Sequence, residues 1–435
     1  MARKIENVVV LGANGAMGSG SGSVFAAAGI RTVFLARTRD KAEAGRARAE
    51  QMVKSTAISR FIEVGDYDAL EAEVAKADLV FEAVAEDLAV KREVFARVDK
   101  ARKPDAIVAT VSSGLSIAAM CAGQSDSFQK HFLGIHFFNP PNVIVGCELI
   151  AHAGTDAGVV AFVRDLLAGP LGREVVETTD TPAFAGNRVG FKVLNEVAQL
   201  AEEHGVAFMD ALIGPHTGRA MTPLVTVDFV GWDVHQAIVD NLFANTKDEA
   251  HAAFELPGYM KKLIAAGHLG NKTKAKGGFF RSEGKGKDAV RLVVDPKTLD
   301  YRPVTENVRA LPPVVGQMKA LIRVGRYQQA MDAMCDATGP EVDLMRKVVL
   351  GYVSYGLARV GEVVARPRDV DRIMGFGFNW APPSVLADAI GARRLIGLLD
   401  RAKLLVPRVV VEAAEKNLNL FDEPEVDRGR FFVAA

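Results

Sequence analysis

The amino-acid sequence predicts an α/β domain with a mostly parallel sheet, followed by a region built from helices. Up to about residue 182, short apolar runs typical of buried strands alternate with amphipathic helical stretches. Beyond that point apolar residues recur at helical spacing, as in Val189, Val193 and Val197. The 435-residue chain is long enough for about two to four domains of ordinary size.

The composition excludes several classes of protein. The chain has 53 Lys and Arg against 53 Asp and Glu, so it lacks the basic excess of a nucleic-acid-binding protein. No apolar run approaches the roughly 20 residues of a membrane span, and the first strand begins too early for a secretory signal. Cys121, Cys147 and Cys335 form neither a disulfide framework nor a metal-binding pattern. We expect a soluble cytoplasmic protein with no metal, no membrane span and no nucleic-acid partner.

The N-terminal strand leads directly into a glycine-rich turn. Asn7–Leu11 is a β-branched run, followed by Gly12, Gly15, Met17 and Gly18 and then by an alanine-rich stretch. A strand, a glycine turn and a helix N-terminus together allow backbone N–H groups to approach a pyrophosphate. The sequence therefore predicts a Rossmann-type dinucleotide site at this turn, with NAD as the expected cofactor.

Two features of this region depart from the usual dinucleotide fingerprint. The first two glycines are separated by two residues instead of one, so we expect a wider turn or a helix that begins late. The second strand ends at Ala36, and Arg37, Thr38 and Arg39 follow where an acidic residue normally binds the ribose 2′-hydroxyl. Arginine and threonine suit a 2′-phosphate, so NADP through Arg37 stays open as an alternative to NAD. The other interpretation is that the two arginines are solvated charges at a helix start.

One apolar strand carries a histidine that is a candidate catalytic base. Phe132–Phe138 contains His136 and stops at Asn139, before two prolines. The next strand includes Glu148 among apolar neighbours, and a buried carboxylate needs a partner. A carboxylate that accepts the Nδ1 proton fixes the imidazole and leaves Nε2 as a general base. A lone histidine in a strand is more often a core residue, but this pair favours catalysis.

Further motifs give the chain a resemblance to a known family. They are Val84–Lys91, Ser113–Ile117, His136–Pro140, Asp180–Arg188 and Gly270–Phe280. With these motifs in this order, the chain resembles the L-3-hydroxyacyl-CoA dehydrogenases of fatty-acid β-oxidation. The spacing from His136 to Glu148 also matches that family. The resemblance implies that the helical region has the 6-phosphogluconate-dehydrogenase-like all-α fold.

The resemblance also implies a role for each site residue. His136 takes the proton of the substrate 3-hydroxyl group, and Glu148 orients the imidazole. Ser113 and Asn187 hydrogen-bond the substrate oxygen. Positions that contact the dinucleotide in the family correspond to Glu86, Lys91, Asn139 and Lys272. The implied reaction is oxidation of an L-3-hydroxyacyl-CoA to the 3-oxoacyl-CoA, with hydride transfer to a nicotinamide cofactor.

Two residues depart from the family pattern. Val111 stands where relatives have asparagine, and Ala183 stands where they have glycine in a Thr-Pro-Gly-Phe segment. Both changes concern the cofactor region or the backbone geometry, and neither removes the acid–base set.

The helical region contains an internal repeat. Asp371–Gly375 repeats Asp210–Gly214 at an offset of 375 − 214 = 161, and Pro383–Gly391 repeats Pro223–Gly231 at 391 − 231 = 160. The second copy lacks an equivalent of Asn187. We predict four segments, with a dinucleotide domain at 1–182, a helical domain at 183–282, a linker at 283–308 and a second, degenerate helical copy at 309–435.

The repeat bears on the expected partners. Long members of the family carry a second helical domain, and some also carry an enoyl-CoA hydratase module, which we expect this chain to lack. We expect a separate enoyl-CoA hydratase or thiolase as a partner. Short members dimerise through their helical domains, and we expect the second copy to cover that face within one chain. A monomer and a homodimer are both compatible with this arrangement.

Two other functions stay open from the sequence. One is a dinucleotide-binding scaffold without turnover. This alternative is disfavoured because the set of candidate catalytic residues is intact, namely Ser113, His136, Glu148 and Asn187. The other is a dehydrogenase acting on a 3-hydroxy acid that is not bound to CoA. Such enzymes usually rely on a catalytic lysine, so the His–Glu pair disfavours this alternative.

Overall fold

Two compact units make up the structure, a computed structural model, and they meet in sequence between Phe184 and Ala185. The structure describes residues 3–284, 286–306, 308–423 and 426–432. Residues 1–2 of the predicted dinucleotide domain, residues 285 and 307 of the predicted linker, and residues 424–425 and 433–435 of the predicted second helical copy lie outside the described part. The predicted end of the first domain, residue 182, lies just before the boundary between the units.

An eight-stranded sheet forms the centre of the first unit. Its strands are β1 (Asn7–Leu11), β2 (Arg31–Ala36), β3 (Ile62–Asp66), β4 (Leu79–Glu82), β5 (Ile107–Thr110), β6 (Phe132–Phe137), β7 (Gly146–Ile150) and β8 (Glu174–Thr178). They lie in the order β3-β2-β1-β4-β5-β6-β7-β8, and all neighbours are parallel except β6 and β7. The order of the first six strands is that of the doubly wound dinucleotide-binding fold. The predicted Rossmann-type class is confirmed.

Helices pack against both faces of this sheet. They are α1 (Ala16–Ala27), α2 (Arg39–Val53), α3 (Leu70–Val74), α4 (Leu88–Ala101), α5 (Ile117–Cys121), α6 (Asp126–Lys130) and α7 (Ala157–Ala168). Alternate residues of β1 belong to two apolar clusters, Val8 and Val10 to one and Val9 and Leu11 to the other. Because such strands are buried on both faces, their sequences are nearly continuous apolar runs.

The glycine-rich turn passes into helix without delay. Helix α1 begins at Ala16, so of the two alternatives, a wider turn or a late helix start, the late start is wrong. The glycines within α1 are points of close contact. A Cβ atom on Gly18 would lie 2.3 Å from the carbonyl oxygen of Gly12, and one on Gly22 would lie 2.3 Å from the ring of Phe34. Their missing side chains allow close packing, which offsets a helix penalty of roughly 1 kcal/mol each.

Helices dominate the second unit. They are α8 (Gly186–His204), α9 (Val206–Leu212), α10 (Pro223–Val230), α11 (Trp232–Asn245), α12 (Gly258–Ala265), α13 (Pro313–Arg323), α14 (Tyr327–Asp336), α15 (Pro340–Ala358), α16 (Pro367–Phe376), α17 (Pro383–Ile390), α18 (Ala392–Arg401) and α19 (Arg408–Lys416). The segment predicted as a linker contributes to an antiparallel sheet of β9 (Phe280–Glu283), β10 (Val290–Val294) and β11 (Tyr301–Pro303). Among the described residues, no helix has the length and apolar character that a bilayer span requires.

The internal repeat corresponds to repeated hydrogen bonds. Asp210 accepts a hydrogen bond from a backbone N–H at the start of α10, and Asp371 accepts one at the start of α17. Asp228 accepts from two successive N–H groups that follow α12, and Asp388 accepts from two that follow α19. The repeated aspartates fix backbone in the same way in both copies, which explains why they recur at a steady offset.

A buried ion-pair network links the two helical copies. Arg188 of α8 donates to the Tyr355 hydroxyl at 3.1 Å, and its Nη2 lies 2.8 Å from Asp248 Oδ2. Arg359 contacts the same oxygen at 3.2 Å and Glu249 at 2.6 Å. Both arginine side chains are only 3% exposed. The two copies are therefore in direct contact within the unit. That the second copy covers the dimerisation face of short family members, and the oligomeric state, both stay predictions.

Gly190 of α8 faces the second copy and has no room for a side chain. A Cβ atom there would lie 2.3 Å from the ring of Phe378. We expect Gly190→Ala to lower the free energy of unfolding by about 1–3 kcal/mol, because the ring must move. Gly316 in α13 is the control, since its Cβ would meet nothing within 4 Å. Gly316→Ala should stabilise by up to about 1 kcal/mol. Thermal unfolding measures both changes, and equal shifts in the two variants would contradict the contact.

Candidate active site

Strands β6 and β7 place His136 directly opposite Glu148. The two are partners in the antiparallel register, and Nδ1 of the imidazole lies 2.6 Å from Oε2 of the carboxylate. Glu148 is fully buried and His136 is 3% exposed. An ionised carboxylate can only accept, so Nδ1 carries the proton and Nε2 keeps a lone pair. The pairing expected from the sequence is present.

A serine hydroxyl lies against the other ring nitrogen. Ser113 follows β5, and its Oγ lies 3.2 Å from Nε2 of His136. Both residues lie towards the carboxyl edge of the sheet, where doubly wound folds bind their ligands. Ser113 is partly exposed, whereas the imidazole is buried behind it. The three side chains of Ser113, His136 and Glu148 form a continuous hydrogen-bonded line.

Apolar groups surround this line. The rings of Phe138 and Phe184 lie with their centroids 5.0 and 5.7 Å from the imidazole. A surrounding of low polarity strengthens the hydrogen bonds within it. Burial and the nearby Glu148 charge raise the pKa of the Cys147 thiol, so this neighbour stays protonated. Cys147 therefore does not compete with the imidazole as a base, and the role of His136 as the general base stays a prediction.

A buried ion pair lies beside the site. Glu82 and Thr110 end β4 and β5 and are partners in the parallel register. The Glu82 carboxylate is fully buried and accepts from Lys91 at 2.8 and 2.9 Å, from the Thr110 hydroxyl at 2.5 Å and from the Val84 N–H at 2.6 Å. Lys91, on α4, is 1% exposed. Three donor groups thus make four hydrogen bonds that stabilise the charge of this carboxylate.

Glu86 joins this ion pair to the loop that carries Ser113. Its carboxylate lies 3.3 Å from the Lys91 ammonium and accepts from the Ser113 N–H at 3.0 Å and from the Ser112 hydroxyl. The side chain of Glu86 is 44% exposed, so it also presents a surface to a ligand. Direct contact of Glu86 and Lys91 with the cofactor stays a prediction, and the Lys91 ammonium is held by two carboxylates.

The glycine turn fits a bound dinucleotide. Gly12 has a φ of +77°, and a Cβ there would lie 2.3 Å from the carbonyl oxygen of Ala83, so only glycine fits. Gly15 is the N-cap of α1 and supplies no capping side chain. The N–H groups of the first helical turn, which includes Met17 and Gly18, thus lack a side-chain cap and suit a phosphate.

The remaining predicted residues occupy separate positions. Arg37 is exposed after β2, next to the glycine turn, and Asn139 is exposed after β6. Asn187 and Lys272 belong to the second unit. Asn187 lies in the first turn of α8 and is 6% exposed. The Lys272 ammonium lies 2.7 Å from the Asp233 carboxylate. Their proposed contacts with substrate and cofactor stay predictions.

Sequence reasoning missed Glu82, Thr110 and Ser112. The sequence did contain a signal for Glu82. Like Glu148, it is a carboxylate in an apolar strand, and it stands at the end of that strand. The same rule, that a buried carboxylate needs a partner, would have singled it out. Nothing in the pattern singles out the other two, which are short polar residues at a strand end.

Comparison with known proteins identifies the family. Residues 7–181 match the NAD-binding domain of 3-hydroxyacyl-CoA dehydrogenase, and residues 184–280 match its C-terminal domain. A 3-hydroxybutyryl-CoA dehydrogenase of Bradyrhizobium diazoefficiens is 32% identical, covering 65% of this chain and 98% of the relative. The chain belongs to the 3-hydroxyacyl-CoA dehydrogenase family. The family expected from the sequence motifs is thus confirmed.

Two other similar proteins also match the second helical copy of this chain. A probable 3-hydroxyacyl-CoA dehydrogenase of Bacillus subtilis is 28% identical over 97% of this chain, which spans 55% of the relative's length. The crystal structure of 3-hydroxybutyryl-CoA dehydrogenase from Escherichia coli K12 covers 95% of this chain and 99% of its own, with a TM-score of 0.69 and 22% identity. That likeness shows the fold.

The backbone conformation at Ala183 explains why the family usually has glycine at this position. Ala183 and Phe184 have φ values of 58° and 54°, in the left-handed region that favours glycine. A residue with a Cβ costs roughly 1–2 kcal/mol there. The turn places the ring of Phe184 beside His136, and the chain keeps this backbone conformation although alanine replaces the usual glycine.

Proposed function

We propose that this chain oxidises L-3-hydroxyacyl-CoA to 3-oxoacyl-CoA. The observation that carries the proposal is the line of Ser113, His136 and Glu148 at the carboxyl edge of a dinucleotide-binding sheet. Membership of the 3-hydroxyacyl-CoA dehydrogenase family supports it. A buried His–Glu pair beside a partly exposed hydroxyl is suited to removing a proton from an alcohol.

The proposed proton transfer uses the line of Ser113, His136 and Glu148. Nε2 of His136 accepts the proton of the substrate hydroxyl, while the Ser113 hydroxyl holds the substrate oxygen in place. As the O–H bond breaks, the C–O bond becomes C=O and the carbon loses its hydrogen as hydride. A bound nicotinamide dinucleotide supplies the hydride acceptor. Glu148 stabilises the imidazolium that forms, and fixed groups of this kind act without reorganising.

Reduction of acetoacetyl-CoA tests this function. We expect the protein to oxidise NADH with acetoacetyl-CoA and to do so at least about 100-fold less efficiently with free acetoacetate, since remote binding energy supports the chemical step. Absorbance of the reduced dinucleotide measures both rates. Equal efficiency with acetoacetate would favour a dehydrogenase for free hydroxy acids. Dinucleotide binding without turnover would favour a scaffold.

We further propose that Arg37 allows NADP to be used as well as NAD. Arg37 and Arg39 are exposed at the start of α2, and Arg37 forms no ion pair within the described residues. A charge-assisted hydrogen bond contributes about 1.5–3 kcal/mol, so Arg37→Ala should lower kcat/KM for NADPH by about 10- to 100-fold. The value for NADH should stay within about twofold, and Arg39→Ala is the matched control. Wild-type protein that rejects NADPH would contradict this proposal.

The proposed location is the cytoplasm. All three cysteines are free and buried, which is the state expected in a reducing compartment. The bacterial relatives named above agree with this location.

A further inference from the structure

We propose that Glu82 is a positioning residue for catalysis. It fixes the turn formed by Ser112 and Ser113, and through this turn it sets the place of the Ser113 hydroxyl at His136. Glu82 is fully buried, and among the described residues its carboxylate hydrogen-bonds Val84, Lys91 and Thr110. It therefore acts through other residues. This role rests on the proposed function, because it matters only if His136 is the base.

The first connection runs through the neighbouring strand. The Thr110 hydroxyl donates its proton to Oε2 of Glu82 at 2.5 Å and accepts the N–H of Ser112 at 3.2 Å. A hydroxyl group has one proton, and an ionised carboxylate can only accept, so Thr110 donates this proton to Glu82. Its lone pairs are then directed to the Ser112 N–H, which begins the turn.

The second connection runs through α4. Lys91 places its ammonium 2.8 Å from Glu82 and 3.3 Å from Glu86. Glu86 in turn accepts from the Ser113 N–H at 3.0 Å and from the Ser112 hydroxyl. Without the charge on Glu82, the buried ammonium would have Glu86 as its remaining carboxylate partner. We then expect it to pull Glu86 away from the turn, since an uncompensated buried charge is costly.

The two connections meet at the same turn and restrain it from both sides. The Ser112 N–H bonds to Thr110, the Ser113 N–H bonds to Glu86, and the Ser112 hydroxyl also accepts the N–H of Leu115 at 3.2 Å. These bonds fix the backbone that carries the Ser113 hydroxyl. A displacement of about 1 Å at a reacting group can cost about 100-fold in rate, so a restraint of this kind affects kcat.

A test in two backgrounds separates positioning from a general structural role. In otherwise wild-type protein, Glu82→Gln should lower kcat with acetoacetyl-CoA by about 10-fold and change KM by less than about threefold. In a Ser113→Ala background, the same change should lower kcat by less than about twofold further, because its target is already missing. An equal loss in both backgrounds would overturn the proposal. Wild-type turnover by Ser113→Ala alone would overturn both this role and the proposed use of Ser113.

A second pair of variants covers the case in which Glu82→Gln does not fold. Thr110→Val keeps the shape of the side chain but removes the hydroxyl, and it should lower kcat by about 5- to 10-fold. Thr110→Ser restores the hydroxyl and should return kcat to within about twofold of wild type. If Thr110→Val keeps wild-type kcat, or if Thr110→Ser does not rescue it, the proposed connection is wrong.

Discussion

His136→Gln is expected to lower kcat for the oxidation of L-3-hydroxybutyryl-CoA by about 10²–10⁴-fold. The imidazole Nε2 is the group placed to take the hydroxyl proton, because Glu148 holds Nδ1 at 2.6 Å and Ser113 lies 3.2 Å from Nε2. Glutamine retains polarity and approximate length but cannot accept a proton at neutral pH. Steady-state turnover measures the loss.

Dinucleotide binding is the control for this variant. The glycine turn is separate from the imidazole, so His136→Gln should bind the reduced dinucleotide with a Kd within about threefold of wild type, as followed by its fluorescence. Loss of binding together with turnover would show a damaged fold instead of a missing base. Unchanged turnover would remove His136 from the mechanism.

Glu148→Gln is expected to lower kcat by about the same factor, 10²–10⁴-fold, although the residue is out of reach of the substrate. The buried carboxylate holds the proton on Nδ1 and stabilises the imidazolium. A neutral amide gives no charge to offset the imidazolium, and its NH₂ group can donate to Nδ1 and move the proton to Nε2. Steady-state turnover as a function of pH measures this change. We expect kcat of the variant to lie below that of the wild type at every pH, including the basic side of the profile.

Glu177→Gln is the matched control. Glu177 lies in the neighbouring strand β8 but is exposed, and its carboxylate forms an ion pair with Arg164. Exposed pairs contribute about 0–1 kcal/mol, so this variant should keep wild-type kcat. A similar loss in both variants would show that the effect of Glu148→Gln is not specific to its contact with His136.

The His–Glu pair could be predicted because the relevant information is local. His136 and Glu148 lie on consecutive strands, and antiparallel neighbours that follow each other in sequence have few ways to pair. The alternating burial of a strand then puts both side chains on the same face. The glycine turn was recognisable for the same reason, since its strand, turn and helix are contiguous.

The partners of Glu82 could not be predicted in this way. Glu82 meets Thr110 only because β4 and β5 are neighbours in register, and a crossover helix separates these strands in sequence. A late start of α1, one of the two alternatives, was wrong for the same reason: the helix penalty of Gly20 and Gly22 is visible in the sequence, while their close contacts with Pro141 and Phe34 are not. Both the contacts of Glu82 and the start of α1 depend on contacts between segments that are distant in sequence.

The most direct test of the central claim is oxidation of L-3-hydroxybutyryl-CoA by the wild-type protein with NAD, compared with the D enantiomer. We expect steady formation of reduced dinucleotide with the L form, over many turnovers, and at least about 100-fold slower formation with the D form, whose hydroxyl cannot face His136 while its hydrogen faces the cofactor. If NAD binds but neither enantiomer is oxidised, or if the D form reacts as fast as the L form, the proposed function is contradicted.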